Sequence, residues 1–293
     1  MTAEQRSVRA ENVEAAKPIP GTTMANRLAQ LLHFGYHQAM SCLFPVAIFG
    51  TLTLSRLVEI PFIHRYDAIL FVLLAVQFLM YRSGLETRDE MKVIAVFHLI
   101  GLALELFKVS MGSWSYPEPA YTKLFGVPLY SGFMYASVAS YMCQVWRRLR
   151  MDMTGWPGLA AAGLLGGGIY LNFFTHHFLP DVRWWLTALV LLVFRKTWII
   201  YRVRAATYRM PLTLAFLIVG FFIWLAENIA TFLGAWQYPD QEQAWRLVGF
   251  GKISSWFLLI IISVIIVAQL KYVKAGRTSG DGGRTHDPND RRK

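Results

Sequence analysis

Residues 105–117 read ELFKVSMGSWSYP, and residues 227–239 read ENIATFLGAWQYP. Both strings are E-x6-G-x-W-x-Y-P, and each shared residue of the second lies 122 positions after its counterpart in the first. At average residue usage each match is roughly a one-in-twenty event, so all five together are on the order of one in a million per comparison. The motif has a physical reading. Gly lets a helix end and the chain turn. Trp and Tyr suit the headgroup level of a bilayer, and Pro stops the helix from continuing. The glutamate is the exception. It lies seven residues before the glycine, about 10 Å inside the apolar layer at 1.5 Å per residue. A carboxylate at that depth is costly and marks a functional site by default.

Eight apolar runs surround this pair, near 38–55, 66–81, 92–111, 127–146, 156–175, 184–201, 211–233 and 252–270. A spanning helix needs about 20 mostly apolar residues. Residues 24–37 read as a short amphipathic lead-in lying at the interface. The N-terminus, the even-numbered loops and the C-terminus hold 22 Lys and Arg, the odd-numbered loops hold 6, and Lys108 lies inside a span. That asymmetry is a positive-inside signal placing both termini in the cytoplasm. Spans one and five, two and six, and four and eight are also about 120 residues apart. The expected fold is therefore all-α: a polytopic membrane protein with about eight transmembrane helices, arranged as two tandem parallel four-helix repeats. The expected segments are a polar N-terminus and lead-in (1–37), a first repeat (38–146), a second repeat (156–270) and a disordered Gly-, Asp- and Arg-rich tail (274–293).

Composition agrees. The chain has 293 residues, a formal charge of +11, 55% hydrophobic and only 16% charged residues, where a soluble domain carries about 25% charged residues. The basic excess is accounted for by topology and anionic lipid, with no nucleic acid partner. The first ~25 residues lack the apolar core of a cleavable signal peptide. Cys42 and Cys143 form no disulfide framework and are expected to be free, buried thiols.

On the third span His98, Gly101, Glu105, Lys108 and Gly112 recur at helical spacing and share one face. Glu105 and Lys108 are near enough to pair. The seventh span has Ala230 where the third has Lys108, so Lys108 is expected to serve both Glu105 and Glu227 across a pseudo-two-fold axis. The candidate catalytic residues are Glu105, Glu227 and Lys108. The candidate substrate-binding residues are Trp114, Tyr116, Trp236, Tyr238, His98, Asn172, His176 and Asn228. Adjacent His176 and His177 point to different helix faces, so no metal site is expected there, and no cofactor is expected either. Leu85–Glu90 and Tyr208–Pro211 read as charged cytoplasmic turns, with Pro211 opening a helix. Gly163-Leu-Leu-Gly-Gly167 reads as a close helix contact. No phosphate loop, nucleophile elbow, zinc-protease motif or dinucleotide fingerprint is present.

Further stretches carry a resemblance: Glu86-Thr-Arg-Asp-Glu90 through Pro117, Val127-Pro-Leu-Tyr-Ser-Gly-Phe-Met-Tyr135, Leu171-Asn-Phe-Phe-Thr-His-His177 and Trp224-Leu-Ala-Glu-Asn-Ile-Ala-Thr231. Across roughly residues 30–272 the chain resembles the YoaT-like family of bacterial multi-pass membrane proteins of unknown function. The resemblance implies a bacterial inner-membrane protein and gives no activity. Glu105…Gly112-x-Trp-x-Tyr followed by Gly126-Val-Pro is more faintly similar to membrane carotenoid cyclases and hydratases, although their P-x-E-E signature has no counterpart here.

Three functions remain open at this point. One is acid–base chemistry on an apolar, isoprenoid-type lipid: one glutamate protonates a C=C bond, the other stabilises the cation, and Trp114, Trp236 and Tyr116 face it. A second is a small-solute or proton-coupled transporter, with His98, Glu105 and Lys108 as a proton track. The third is a structural or regulatory membrane protein.

Overall fold

The computed structural model of the protein describes residues 24–281, with side chains as far as residue 268. It is mostly helical. The chain runs α1 (Met24–Ser41), α2 (Leu43–Leu57), α3 (Arg65–Arg82), α4 (Arg88–Ser110), a hairpin of β1 (Lys123–Leu124) and β2 (Val127–Pro128), and α5 (Gly132–Arg148). It continues through β3 (Asp152–Thr154), α6 (Leu159–Thr175), α7 (Arg183–Val193), β4 (Trp198–Val203), β5 (Ala206–Pro211), α8 (Leu212–Phe232) and α9 (Lys252–Asp281). Among the described residues, α4 (23 residues) and α8 (21 residues) are each long and apolar enough to cross a membrane, at about 1.5 Å per residue. These are the two helices that carry Glu105 and Glu227. The α1–α2 pair, bent by 59°, passes the same test when counted as one span. Pro45, in the first turn of α2, has no N–H to return to the carbonyl of Ser41, which explains a break at this point.

The sequence around α4 shows why it starts and stops where it does. Thr87 caps its N-terminus: the Glu90 N–H donates to Thr87 Oγ1 (3.3 Å), and the Thr87 N–H donates to the Glu90 carboxylate (2.8 Å). This reciprocal capping box gives the supposed solvated turn at 85–90 a structural role. At the other end Gly112 adopts φ +66°, the Gly112 N–H donates to Val109 O and the Ser113 N–H donates to Lys108 O. The end of α8 repeats this: Gly234 has φ +67°, and the Gly234 and Ala235 N–H groups donate to Thr231 O and Ala230 O. Both are Schellman endings.

These two glycines differ in what surrounds them, which gives a test. A Cβ on Gly112 meets nothing within 4 Å, whereas one on Gly234 runs into the Arg56 guanidinium. Gly112→Ala is expected to cost about 1–2 kcal/mol, from left-handed backbone strain alone. Gly234→Ala should cost more, because Arg56 must also move. Denaturation of the two variants side by side in detergent checks the order; equal losses would contradict it.

The expectation of an all-α chain fails in two places: the short β1–β2 hairpin, which takes the start of the expected helix at 127–146, and a three-stranded sheet. The apolar run at 184–201 is not a single helix. α7 ends at Val193 after 11 residues, about 16 Å and so too short to span alone, and Trp198–Val203 forms the central strand of an antiparallel sheet ordered β3-β4-β5. Arg195 and Lys196 interrupt the run, and the β-branched Ile199 and Ile200 then favour a strand. Since β4 pairs with β3, and β3 follows α5, the chain is back on the side where α5 ends within α7 and residues 194–197. The Thr197 hydroxyl donates to Gly155 O (2.8 Å), and Arg209 lies over the Trp198 ring at 4.3 Å.

Two apolar cores form. One gathers Phe44, Ile48, Tyr66, Leu73, Phe97 and Phe133 from α2–α5. The other gathers Met142, Leu165, Phe194, Ile199, Phe216 and Ile261 from α5–α9 and the sheet. α4 packs most extensively on α5, and α8 on α9. Gly101 makes the first contact close, its missing Cβ leaving room for the Tyr135 ring. On α6 only Gly166 of the Gly163–Gly167 run meets a neighbour, the Ile265 side chain of α9 at 3.2 Å. Neither cysteine forms a disulfide; Cys143 is buried and Cys42 half-buried. α9 continues to Asp281, into the segment expected to be disordered from 274 onward. Residues 1–23 and 282–293 lie outside the described residues, and with them most of the expected N-terminal segment and of the tail.

Candidate functional site

Each glutamate is gripped by the tyrosine of its own motif and by one aromatic residue from the next helix, and Glu105 also by its motif's tryptophan. Glu105 accepts from Trp114 Nε1 (2.6 Å), Tyr116 OH (2.8 Å) and Tyr135 OH (2.8 Å). Glu227 accepts from Tyr238 OH and from Trp256 Nε1 (2.7 Å). The tyrosine lies 11 residues after the glutamate in both cases, and the donor from the following helix, Tyr135 or Trp256, lies 30 or 29 residues after it. The two motifs also touch. Ser115 and Gln237, the x of each W-x-Y and 122 residues apart, form an antiparallel bridge, each N–H donating to the other's carbonyl at 2.9 Å. Pairing between equivalent residues is what a local two-fold axis produces.

The motifs differ in one position. Trp114 donates to Glu105, but Trp236 packs against the apolar cores and leaves Glu227 to Trp256. Glu105 is closed off, with both oxygens occupied, and does not line the cavity that Glu227 faces. Glu227 faces a cavity of about 120 Å³ lined also by Lys108, Lys252, Arg183, Trp114, Tyr135 and Tyr238. Ser113, Asn172, His176, Ser255 and Trp256 complete its polar and aromatic wall, while Ile169, Phe173, Leu258 and Leu259 form an apolar side from α6 and α9.

Lys108 does not pair with either glutamate, contrary to expectation. Its Nζ reaches His177 Nε2 (3.0 Å) and His176 Nε2 (3.4 Å) and lies over the Phe173 ring at 4.2 Å. The reason is that both oxygens of Glu105 are already taken by the aromatic donors, and the 175–177 turn of α6 brings two imidazoles to the lysine. Burial first, and then the charge of Lys108, push both imidazoles below the ordinary histidine value, so at neutral pH they accept from the ammonium. His176 also binds the backbone carbonyls of Asn172 and Phe173 through Nδ1 (3.2 and 3.0 Å). The cation linked to Glu227 is Lys252. Its Nζ donates to Tyr238 OH (3.3 Å) and lies over the Tyr238 ring at 4.5 Å and the Trp114 ring at 5.6 Å. The chain Lys252–Tyr238–Glu227 is therefore continuous.

The third cation, Arg183, opens α7. Its Nε pairs with Asp181 (2.5 Å), and its Nη1 donates to Ser255 on α9 (3.1 Å). Burial alone would raise the Asp181 carboxyl, but the Arg183 N–H, the Asn172 amide and the Arg183 guanidinium outweigh it and hold the group below its ordinary value.

The remaining expected site residues divide cleanly. Trp114, Tyr238, Asn172 and His176 line the cavity with Glu227 and Lys108. Tyr116 is buried behind Trp114 on Glu105, with Lys123 Nζ on its carbonyl (2.6 Å). Asn228 is a scaffold residue: its Oδ1 accepts from Val248 N–H (2.8 Å) and its Nδ2 donates to Trp224 O (2.8 Å), pinning the loop before α9. His98 does not line the cavity. It packs edge-on against Phe133 at 4.6 Å and over Gly132, and its Nδ1 is buried without a partner. With Lys108 turned to the histidines, the expected track His98–Glu105–Lys108 is not formed.

Sequence reasoning gave no role to four residues that organise the site. Tyr135 was signalled only by Gly101, the glycine it packs over. Trp256 and Lys252 open α9, one motif spacing beyond helix α5. Arg65 crosses between the halves: its guanidinium donates to Leu233 O (2.6 Å), Gly234 O (3.0 Å) and Ser55 Oγ (3.0 Å) and pairs with Glu118 (2.7 Å). Arg56 donates to the same Leu233 carbonyl (2.9 Å), and Tyr130 OH donates to Ala235 O. The second motif is thus held by side chains of the first half. Asp67, in turn, accepts from the Tyr121 and Thr122 N–H groups (2.9 Å each) and steadies the loop after the first motif.

Comparison with known proteins gives a family and no activity. No solved structure matches the chain. The uncharacterized protein YoaT of Bacillus subtilis (strain 168) is 62% identical over 247 residues, covering 84% of this chain and 94% of that protein. The model of a family described as protein of unknown function (DUF817) matches residues 30–264, which include both motifs and every cavity-lining residue. The chain belongs to that family.

Proposed function

We propose that the protein is a multi-pass protein of the bacterial inner membrane, with both termini cytoplasmic and two tandem four-helix units, that carries out acid–base chemistry on an apolar, isoprenoid-type lipid at Glu227. The 22-to-6 sorting of Lys and Arg supports the topology. The matching helix ends and the Ser115–Gln237 pairing support the repeat. The observation that carries the chemistry is Glu227 itself: a buried carboxyl on a cavity wall, held in one orientation by Tyr238 and Trp256 and surrounded by aromatic faces.

A protonated Glu227 gives its proton to one alkene carbon and leaves a carboxylate, whose charge the Tyr238 and Trp256 donors stabilise. The resulting carbocation is held by the faces of Trp114 and Trp256. Loss of a proton from a neighbouring carbon to the carboxylate shifts the double bond and restores the acid, with no other reactant. Glu105 positions Trp114 and Tyr135, which form part of the same wall. In the native host, Glu227→Gln should change the same isoprenoid species as loss of the protein does, while protein abundance stays at the wild-type level. An unchanged lipid profile in both strains would refute the chemistry.

A transport function has one observation in its favour, the two interrupted helices: the 59° bend between α1 and α2, and the 11-residue α7 whose first residue lines the cavity. Interrupted helices beside a polar cavity are common in transporters. Proton or solute flux in proteoliposomes, lost in Glu227→Gln with the lipid profile unchanged, would favour transport instead.

A further inference from the structure

The cavity has a charge imbalance that acid–base chemistry at Glu227 does not require. Three cations from three helices line it: Lys108 of α4, Arg183 at the start of α7 and Lys252 at the start of α9. Only one carboxylate, Glu227, lines it with them. Arg183 has Asp181 as a partner, but Lys108 is met by two imidazoles and Lys252 by a phenol and two ring faces. Among the described residues, neither lysine lies within ion-pair distance of a carboxylate. Like charges gathered in a low-dielectric site are costly unless a counter-charge joins them.

We propose that the cavity is an anion site that takes a phosphate-type oxyanion, with the headgroup of an apolar-chain phosphate as its source. The volume suits the head and the first carbons of the chain, where Glu227 meets the alkene, and not the whole chain. About 120 Å³ is room for roughly four water volumes at about 30 Å³ each, enough for a tetrahedral oxyanion. The chain itself leaves along the apolar side, between α6 and α9, over Phe173, Leu258 and Leu259. The donors are of the right kind. Arg183 presents a planar fork, and the two lysines act as point charges. Ser255 is held at the same wall by Arg183. The proposal shares the cavity with the Glu227 reading and names its substrate class, but binding does not depend on proton transfer.

The test uses the full-length protein in detergent micelles, with farnesyl monophosphate, farnesol and inorganic phosphate as probes. Farnesyl monophosphate is expected to raise the melting temperature saturably, and farnesol is not. Lys252→Met and Arg183→Gln should each weaken apparent affinity tenfold or more. Lys252→Arg keeps the charge and should keep binding, which separates a lost contact from a lost fold. Lys92→Gln, at an exposed lysine on the opposite end of α4, should bind as wild type. Glu227→Gln removes the lone lining carboxylate and should bind at least as tightly, so binding retained in a variant with an unaltered lipid profile refutes the chemistry alone. Inorganic phosphate matching farnesyl monophosphate would assign the site to a free ion; preference for the lipid assigns it to a headgroup. Farnesol binding as well as its phosphate, or Lys252→Met and Arg183→Gln both binding with wild-type affinity, overturns the proposal.

Discussion

Glu105→Leu is expected to be among the most destabilising single substitutions in the protein. Its side chain accepts three hydrogen bonds, from Trp114, Tyr116 and Tyr135. Leucine fills much of the volume and accepts none of them. A buried donor left without a partner costs about 1–3 kcal/mol. Part of this is recovered when the tyrosine hydroxyls rotate toward other acceptors, so the expected total is on the order of 4 kcal/mol. Glu105→Gln should cost far less, because its oxygen still accepts and Tyr135 OH is able to accept from the new amide. Reversible unfolding in mixed micelles measures both. A loss below about 1 kcal/mol for Glu105→Leu would show that the aromatic grip on this carboxylate is incidental.

Arg65→Met should produce an effect of similar size by a different route. Arg65 is mostly buried, with 12% of its side chain exposed, and ties α3 to the carbonyls of Leu233 and Gly234 at the end of α8. Those carbonyls carry the negative end of the α8 dipole. Methionine matches the length and removes the charge, leaving Glu118 with only the longer Arg56 contact at 3.8 Å. Breaking a fully buried, hydrogen-bonded ion pair costs about 3–5 kcal/mol; this pair is partly buried, with Glu118 27% exposed, so the lower end, about 3 kcal/mol, is expected. Arg65→Lys should fall between, since an ammonium lacks the fork that serves two carbonyls and a carboxylate together. The same unfolding assay reads both variants. If methionine and lysine cost the same small amount, the two halves are held by packing and not by this arginine.

Much of the helical framework was legible because each local signal had a single physical meaning. Gly112 and Gly234 stand where the chain needs a left-handed residue, and both helices end there. Thr87 and Glu90 have capping-box spacing and α4 starts there, a signal that the reading of 85–90 as a charged turn passed over. The strand at Trp198–Val203 was hidden because a short apolar run reads alike as helix or strand, and only its pairing with β3 and β5 decides the matter. The site was legible in part. The repeat singled out Glu105 and Glu227, and their burial follows from their depth in an apolar helix. What the sequence could not rank was competition for a partner. Glu105 and Lys108 are three residues apart and able to pair, yet aromatic donors from a loop and from α5 reach the carboxylate, and histidines from the turn after α6 reach the lysine. Those contacts span 9 to 69 positions, which helical spacing does not report. For the same reason two equivalent glutamates end up unlike: one sealed by its own motif and Tyr135, the other open to a cavity lined from six helices, α4 to α9.

That difference is the central claim, and proton exchange with substrate tests it most directly. The full-length protein, reconstituted with lipid extracted from its native membrane and incubated in D2O, is expected to place deuterium on carbon in one isoprenoid species, read by mass spectrometry. Glu227→Gln should abolish the incorporation. Glu105→Gln, per folded molecule, should retain most of it. Deuterium incorporation by Glu227→Gln at the wild-type rate, or its complete loss in folded Glu105→Gln with Glu227 intact, would contradict the account.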